Sequence, residues 1–288
     1  MTVEEAYKIT RDQLQNIYES REAAHITDML FENICGLSRT QRIMQQKSRI
    51  LLAEEEQKLF SYNENLLAHK PIQYVLHEAW FAGKKFYVDE NVLIPRPETE
   101  ELCEWIFTTH HSFKTKNISI LDVGTGSGCI AITLKNKFPN ADVYAVDISA
   151  GALEVASKNA AAHNASINFC EMNFLDRNKW NALPQFDIIV SNPPYIKQSE
   201  AEAMQKNVLD HEPHTALFVK DDDAFIFYRE ISLFAQTHLR AGGSLYFEIN
   251  EMHGDDIKQI TGRLGFINTE IKKDIYGKSR MIRGNAQK

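Results

Sequence analysis

The chain has 288 residues, 43% of them apolar and 25% charged, and carries a formal net charge of -7. That balance describes an ordinary soluble globular protein, long enough for two domains or for one large domain with an appendage. The acidic excess argues against a dominant nucleic-acid footprint. The four cysteines, Cys35, Cys103, Cys129 and Cys170, lie far apart with no C-x-x-C pair, a pattern of free thiols in a reducing compartment rather than a disulfide framework or a zinc site. The acidic start Met1-Thr2-Val3-Glu4-Glu5 lacks the features of a signal peptide, and no apolar run approaches the ~20 residues that span a bilayer. A cytoplasmic protein is expected.

The first seventy residues read as helices, almost uninterrupted by glycine or proline. Thr2 and Glu5 have capping-box spacing, with Ala6, Ile9, Leu14 and Ile17 or Tyr18 following on one face. A second helix runs from about Ser20 to Gly36, the residue type favoured just past a helix end. Ser38 and Gln41 form another capping box, opening a stretch that runs toward His69. Its apolar stripe is Leu51, Leu52, Leu59, Leu66 and Leu67, and its polar residues 61–65 suggest a break. From Pro71 the texture changes. Trp80-Phe81, Ala82-Gly83 and then residues 84–88 read as a β-hairpin. In the segment that follows, Pro95 and Pro97 hold the backbone extended around Arg96, and Thr99 is placed to cap a helix carrying Leu102, Trp105 and Ile106. Arg96 suits either a ligand contact or a domain-linking salt bridge.

Strands and helices then alternate, the signature of a parallel sheet. Strands are expected at residues 118–123, 142–146, 167–170, 186–190, 244–249 and 266–272, and helices at 129–137, 150–162, 225–239 and 255–264. Gly242-Gly243 is expected to turn the chain into the strand at 244–249.

Three features carry chemistry. The first is Asp122-Val123-Gly124-Thr125-Gly126-Ser127-Gly128, a glycine loop between strand and helix. The dinucleotide fingerprint G-x-G-x-x-G fails because its last position is Cys129. The observed spacing suits a nucleoside without phosphates, such as S-adenosylmethionine. Asp147, 23 positions after Gly124, ends the next strand, where a carboxylate can accept the ribose hydroxyl protons or simply cap a helix. The second feature is Asn173-Phe174, where a polar side chain can meet an adenine amino group beneath an apolar cover, or Phe174 can belong to the core.

The third is Ser191-Asn192-Pro193-Pro194-Tyr195, which follows the apolar run 186–190. Neither proline can donate a ladder hydrogen bond, and Asn192 before a proline is pushed toward extended backbone. The result is a rigid corner at a strand's carboxyl end, where open α/β sheets hold their ligands. An NH2 conjugated to a carbonyl or aromatic ring is a poor nucleophile because its lone pair is delocalised. The Asn192 side-chain oxygen and the Pro193 carbonyl can accept its two protons and aim the lone pair at a sulfonium methyl, with Tyr195 packing on the flat group. Among the remaining features, His211-Glu212-x-His214 lacks a third metal ligand, Asp221-Asp222-Asp223 reads as a solvated turn, and His110-His111 as a surface helix end.

These residues resemble the class I S-adenosylmethionine-dependent methyltransferases. Within that class the chain is similar to the protein-(glutamine-N5) methyltransferases of peptide chain release factors. The similarity covers Pro71-x-Gln73-Tyr74, Ile94-Pro95-Arg96-Pro97-Glu98-Thr99-Glu100, the glycine loop, Asn192-Pro193-Pro194-Tyr195, Glu212-Pro213-x-x-Ala216-Leu217 and Asp274-x-x-Gly277-x-x-Arg280. It departs at Asn173, where the family usually has Asp, and after Glu248, where Ile249-Asn250 replaces a usual glycine. The resemblance implies a Rossmann-like α/β domain over residues 96–288, mostly parallel with an antiparallel edge, a hairpin linker at 74–95 and an all-α substrate-docking domain at 1–73. It implies methyl transfer from S-adenosyl-L-methionine, without a metal, to the glutamine of the Gly-Gly-Gln loop of class 1 release factors, which modulates translation termination. Gly124, Thr125, Gly126, Ser127, Gly128, Asp147, Asn173, Phe174 and Asn192 would hold the cofactor. Asn192, Pro193, Pro194 and Tyr195 would be catalytic. No membrane or direct nucleic-acid partner is expected. The alternative is an amino-methyltransferase of adenine in DNA or guanine in RNA, which would share the corner but should also carry a basic groove.

Overall fold

The computed structural model describes residues 1–45, 49–204 and 206–287, and the chain divides into two compact units. The first takes in Met1–Glu78 and a short helix from later in the chain. Its helices are α1 (Val3–Leu14), α2 (Ser20–Cys35), α3 (Arg39–Gln45), α4 (Ala53–Leu67) and α5 (Ile72–Leu76). At the start of α1, Thr2 Oγ1 accepts from the Glu5 amide at 3.2 Å and Glu5 Oε2 accepts from the Thr2 amide at 2.9 Å, so two otherwise orphaned donors are satisfied together. The buried face of α1 is Val3, Ala6, Thr10 and Leu14. Ile9, assigned to that stripe from sequence, is instead 49% exposed, and the helix stops before Ile17 and Tyr18. Once Val3 faces inward, a residue six steps further lies about 240° round the helix, on the far side. Gly36 closes α2 in left-handed backbone, φ 64°.

The Ser38–Gln41 box is present, with the Gln41 amide donating to Ser38 Oγ and the Ser38 amide to Gln41 Oε1. The break expected within residues 61–65 is absent, since α4 runs straight through them. Its polar residues are bound rather than looped out. Asn63 is buried and donates to Gln13 Oε1 at 2.7 Å, and Asn65 donates to the Ser61 carbonyl at 2.8 Å. The chain leaves helix earlier, between α3 and α4, and residues 46–48 of that expected stretch lie outside the described residues. Leu51, Leu59 and Leu66 join Val3, Leu14 and Phe31 in the core of this unit, whereas Leu52 and Leu67 are exposed.

The second unit opens with the expected hairpin, β1 (Ala79–Phe81) against β2 (Lys84–Phe86). Ala82 and Gly83 both have positive φ, the conformation of a tight two-residue hairpin turn. Helix α6 (Pro97–Thr109) has Pro97 in its first turn and Arg96 at its N-cap, so Thr99 lies inside the helix and is not the cap. Then come β3 (Ser119–Val123), α7 (Cys129–Lys137), β4 (Asp142–Asp147), α8 (Ala150–Ala162), β5 (Asn168–Glu171) and β6 (Phe186–Ser191). Short pieces follow: β7 (Ile196–Lys197), α9 (Lys206–His211), which belongs to the first unit, α10 (His214–Leu217) and β8 (Phe218–Val219). The unit ends with α11 (Ile226–His238), β9 (Leu239–Glu248), α12 (Gly254–Arg263), β10 (Ile267–Lys273) and β11 (Ser279–Asn285).

Seven strands form one sheet in the order β10-β11-β9-β6-β3-β4-β5. The five from β9 to β5 are parallel, and β11 and β10 run antiparallel at one edge, so the α/β expectation holds. Adjacent residues feed opposite cores. Ile120, Ile188 and Tyr246 pack with α6 and α7, and Leu121, Ile189 and Phe247 with α11 and α12. Burial on both faces is why these strands read as continuous apolar runs, each large side chain contributing roughly 1.5–3 kcal/mol. Gly242 and Gly243 lie within β9, at a register shift against β6, and do not precede the strand. Strand order reverses between β3 and β6, which marks the crevice where such sheets take their ligands.

Candidate active site

One row of residues crosses the parallel sheet in register: Cys170, Val146, Val123, Ser191 and Phe247. The residue after each is Glu171, Asp147, Gly124, Asn192 and Glu248. Residues far apart in sequence therefore leave neighbouring strands at one level. Ser191 Oγ donates to the Val123 carbonyl at 2.7 Å and ties the β6 corner to the strand that feeds the glycine loop. A cavity of ≈ 380 Å³ opens here, walled in part by Gly124, Asp147, Asn173, Asn192, Pro193 and Pro194.

The glycine loop is fixed by backbone bonds. The Gly124 and Thr125 amides both donate to the Val146 carbonyl, and Gly126 donates to Asp147 Oδ2 at 2.9 Å. The second Asp147 oxygen accepts from the Ser149 amide at 2.9 Å, so this carboxylate orders both the loop and the start of α8. Gly124 and Gly126 have positive φ with no atom within 4 Å of a notional Cβ, which leaves open space beside the backbone. Behind the loop, Asp122 is fully buried and accepts from Thr125 Oγ1 at 2.7 Å and from the Ala131 amide at 3.2 Å. Burial raises its pKa to about 7 against the opposing pull of those two hydrogen bonds.

At the corner, Pro193 is buried and Asn192 half-buried. Asn192 Nδ2 donates to Thr99 Oγ1 at 3.3 Å, and Thr99 Oγ1 donates to Glu248 Oε2 at 2.6 Å. Burial lifts the Glu248 pKa to about 7, while the Thr99 hydrogen bond and Arg280 hold it back. Tyr195 packs against the core beside α11 and is not a cavity wall; burial and the Glu248 charge hold its hydroxyl pKa well above the usual tyrosine value. Gly128 is also absent from the wall. The other walling residues named from sequence, Thr125, Gly126, Ser127 and Phe174, join those given above.

Asn173 Oδ1 accepts from the Leu175 amide at 3.1 Å, and Phe174 is buried edge-on to Phe234, so this pair lines the cavity while also serving the core. Arg96 meets Glu212 at 2.6 Å, a salt bridge within one unit and so not a link between domains. Glu212 is buried and also accepts from the Ile94 amide, which gives its carboxylate a structural task. His110 is not a surface residue; it is buried and its Nε2 lies 3.0 Å from the Tyr246 hydroxyl. Asp223 pairs with Arg229 at 2.7 Å and Asp221 accepts from Ser199, so that acidic turn is bonded as well as solvated. Among the described residues, no cluster of His, Cys, Asp or Glu could hold a metal ion, and no helix is long and apolar enough to cross a membrane.

Sequence reasoning missed the roles of Thr99 and Glu248. The available signal was a carboxylate closing the apolar run Leu245-Tyr246-Phe247, since a charge at the end of a buried strand needs a partner.

Residues 5–76 match a family model described as the PrmC N-terminal domain, and residues 107–216 one described as the methyltransferase small domain. A release factor glutamine methyltransferase of Flavobacterium psychrophilum is 45% identical over 276 residues, covering 94% of this chain and 95% of the relative. One from Bacteroides thetaiotaomicron is 38% identical over 275 residues, covering 96% and 97%. Among solved structures, the T. thermophilus 16S rRNA N2 G1207 methyltransferase in complex with AdoMet and guanosine shares the fold. Its TM-score is 0.52 at 18% identity, over 73% of this chain and 50% of that one. Near-full-length identity at this level, with both domain models in chain order, shows that the chain belongs to the release factor glutamine methyltransferase family.

Proposed function

We propose that this protein transfers a methyl group from S-adenosyl-L-methionine to the side-chain amide nitrogen of the glutamine in the Gly-Gly-Gln loop of class 1 peptide chain release factors. The observation that carries this reading is that the Asn192-Pro193-Pro194 corner, the glycine loop and Asp147 open onto one cavity. Its ≈ 380 Å³ lies within the range of ligand pockets, and the bare backbone at Gly124 and Gly126 leaves room for a nucleoside to approach. When bound, S-adenosylmethionine supplies an electrophilic methyl group on a sulfonium sulfur. Gly124, Thr125, Gly126, Ser127 and Gly128 shape the cradle. Asp147 offers the ribose an acceptor, and Asn173 with Phe174 bounds the adenine end.

Asn192 Oδ1 and the Pro193 carbonyl accept the two N–H groups of the substrate glutamine. This draws the nitrogen lone pair out of conjugation and aims it across the cavity. The prolines keep both acceptors in place, so little reorganisation accompanies transfer. Pro194 walls the cavity beside them, and Tyr195 braces the corner from the core side. A proton then leaves the methylated nitrogen to solvent, with no general base of unusual pKa required. No metal has a part in this scheme. Residues 1–73 serve as the substrate-docking domain, 74–95 as a linker and 96–288 as the catalytic domain, a division supported by the N-terminal family match. A cytoplasmic location for this protein is supported by its four free cysteines.

The test is Asn192→Ala. Turnover on a release factor should fall by about a hundredfold, or ~3 kcal/mol of transition-state stabilisation, by comparison with loss of an oxyanion donor. S-adenosylmethionine binding, followed by calorimetry, should remain. A variant with near-normal turnover would overturn the mechanism, and methyl label landing on DNA or RNA would favour the amino-methyltransferase alternative.

A further inference from the structure

Asn192 can serve as an acceptor only if its carbonyl end, rather than its NH2 end, faces the substrate. Nothing in the corner itself decides between the two, because a half-turn of the amide exchanges them with little change of shape. The choice is made behind it. Thr99 is 3% exposed and Glu248 2% exposed, so neither has water as a ready partner. The Thr99 hydroxyl has one proton, and with Glu248 as the carboxylate the 2.6 Å contact commits it to Oε2. What Thr99 Oγ1 then offers Asn192, 3.3 Å away, is a lone pair. Only the NH2 of Asn192 can meet a lone pair, so Oδ1 is turned away from Thr99.

We propose that Thr99 and Glu248 are positioning residues whose hydrogen-bond relay sets the Asn192 amide with its oxygen toward the acceptor nitrogen. The proposal rests on the methyl-transfer reading above and adds the part that makes the corner an acceptor. The relay is anchored at both ends. Thr99 is held within α6, whose first turn starts at Pro97, and Glu248 ends β9, where its own carbonyl accepts from the Tyr228 hydroxyl at 3.1 Å. Its reach is 149 residues in sequence from Thr99 to Glu248 and 93 from Thr99 to Asn192. This gives the Thr99 hydroxyl a use that a helix cap would not have supplied.

The relay can be read without turnover. In 15N-labelled protein, the Asn192 side-chain amide, assigned by its disappearance in Asn192→Asp, should carry a hydrogen-bonded proton signal. Thr99→Val keeps the shape but removes the hydroxyl, so that signal should shift, and Thr99→Ser should restore it. In single-turnover methylation of a release factor, Thr99→Val should lower kcat by about ten- to a hundredfold. The KM for the release factor and the affinity for S-adenosylmethionine should stay near wild type, and Thr99→Ser should recover most of the rate. Glu248→Gln tests the other end and should also disturb the Asn192 signal. An Asn192 signal that is the same in wild type, Thr99→Val and Glu248→Gln overturns the relay, as does a wild-type kcat in Thr99→Val. Should wild-type protein fail to methylate any release factor, the proposed function fails, while the amide signal still judges the relay.

Discussion

His110 sits where the pH dependence of stability can be assigned to a single side chain. Burial, aided by Arg283, lowers its pKa from the usual histidine value to about 4, so at neutral pH it is uncharged, with Nε2 hydrogen-bonded to the Tyr246 hydroxyl. The unfolded chain takes up the proton near pH 6.5 and the folded chain only near pH 4. Between those values the unfolded state binds more protons, so this group's contribution is present above pH 6.5 and is lost as pH falls toward 4. Asp122 and Glu248, both raised to about 7, act in the opposite sense, so the informative quantity is a difference between proteins. His110→Gln keeps a hydrogen-bond partner for Tyr246, and its unfolding free energy in urea should fall less than that of wild type between pH 7 and pH 5. Equal slopes would show that His110 titrates normally. His110 was misread from sequence because a His-His pair near a helix end looks solvent-facing, whereas Tyr246 of β9 and Phe113, stacked on the ring, cover it. The placement of Asn192 and Asp147 at the cavity was legible because each sits at the carboxyl end of a strand. Thr99 and Glu248 were not, since a contact spanning 149 residues leaves no local trace.

At the level of elements, the extended segment before α6 is held by one carboxylate. Glu212 Oε2 accepts from the Ile94 amide at 3.2 Å and Oε1 takes Arg96 at 2.6 Å, joining that segment to the turn that opens α10. Glu212→Ala would strand a buried amide and leave Arg96 without its counter-charge. We expect a loss of about 3 kcal/mol in the unfolding free energy of the catalytic unit. A fall in the denaturation midpoint too small to resolve would mean that water replaces both bonds. The strands were readable from sequence because each is buried on both faces and so appears as a short apolar run. The break in the fourth helix was misplaced for a related reason. Ser61, Asn63 and Asn65 look like loop residues until the Gln13 side chain, fifty positions earlier, is seen to accept from Asn63.

For the molecule as a whole, the two units can be probed by separate measurements. Leu52, the N-cap residue of α4, and Phe60 within the helix are 66% and 58% exposed. Under the docking role proposed for the helical domain, Leu52→Asp combined with Phe60→Asp should raise the KM for an intact release factor severalfold. It should leave S-adenosylmethionine affinity and the unfolding midpoint unchanged, and an unaltered KM would remove these two residues from the docking surface. The division into a helical part and an α/β part was visible in the contrast between a glycine-poor beginning and the alternating strands that follow. The antiparallel pair was only half legible: β10, the exposed edge, matches the strand expected at 266–272, whereas β11, with Met281 and Ile282 buried between polar residues, was noted only for its Arg280 motif.

The central claim is tested most directly by incubating the purified protein and S-adenosylmethionine with a class 1 release factor, then mapping the release factor by peptide mass spectrometry. The account predicts one added methyl group on the glutamine of the Gly-Gly-Gln loop with wild-type protein, appearing about a hundredfold more slowly with Asn192→Ala. A methyl group on another residue, on accompanying nucleic acid, or on the same glutamine at near-equal rates with both proteins would contradict it.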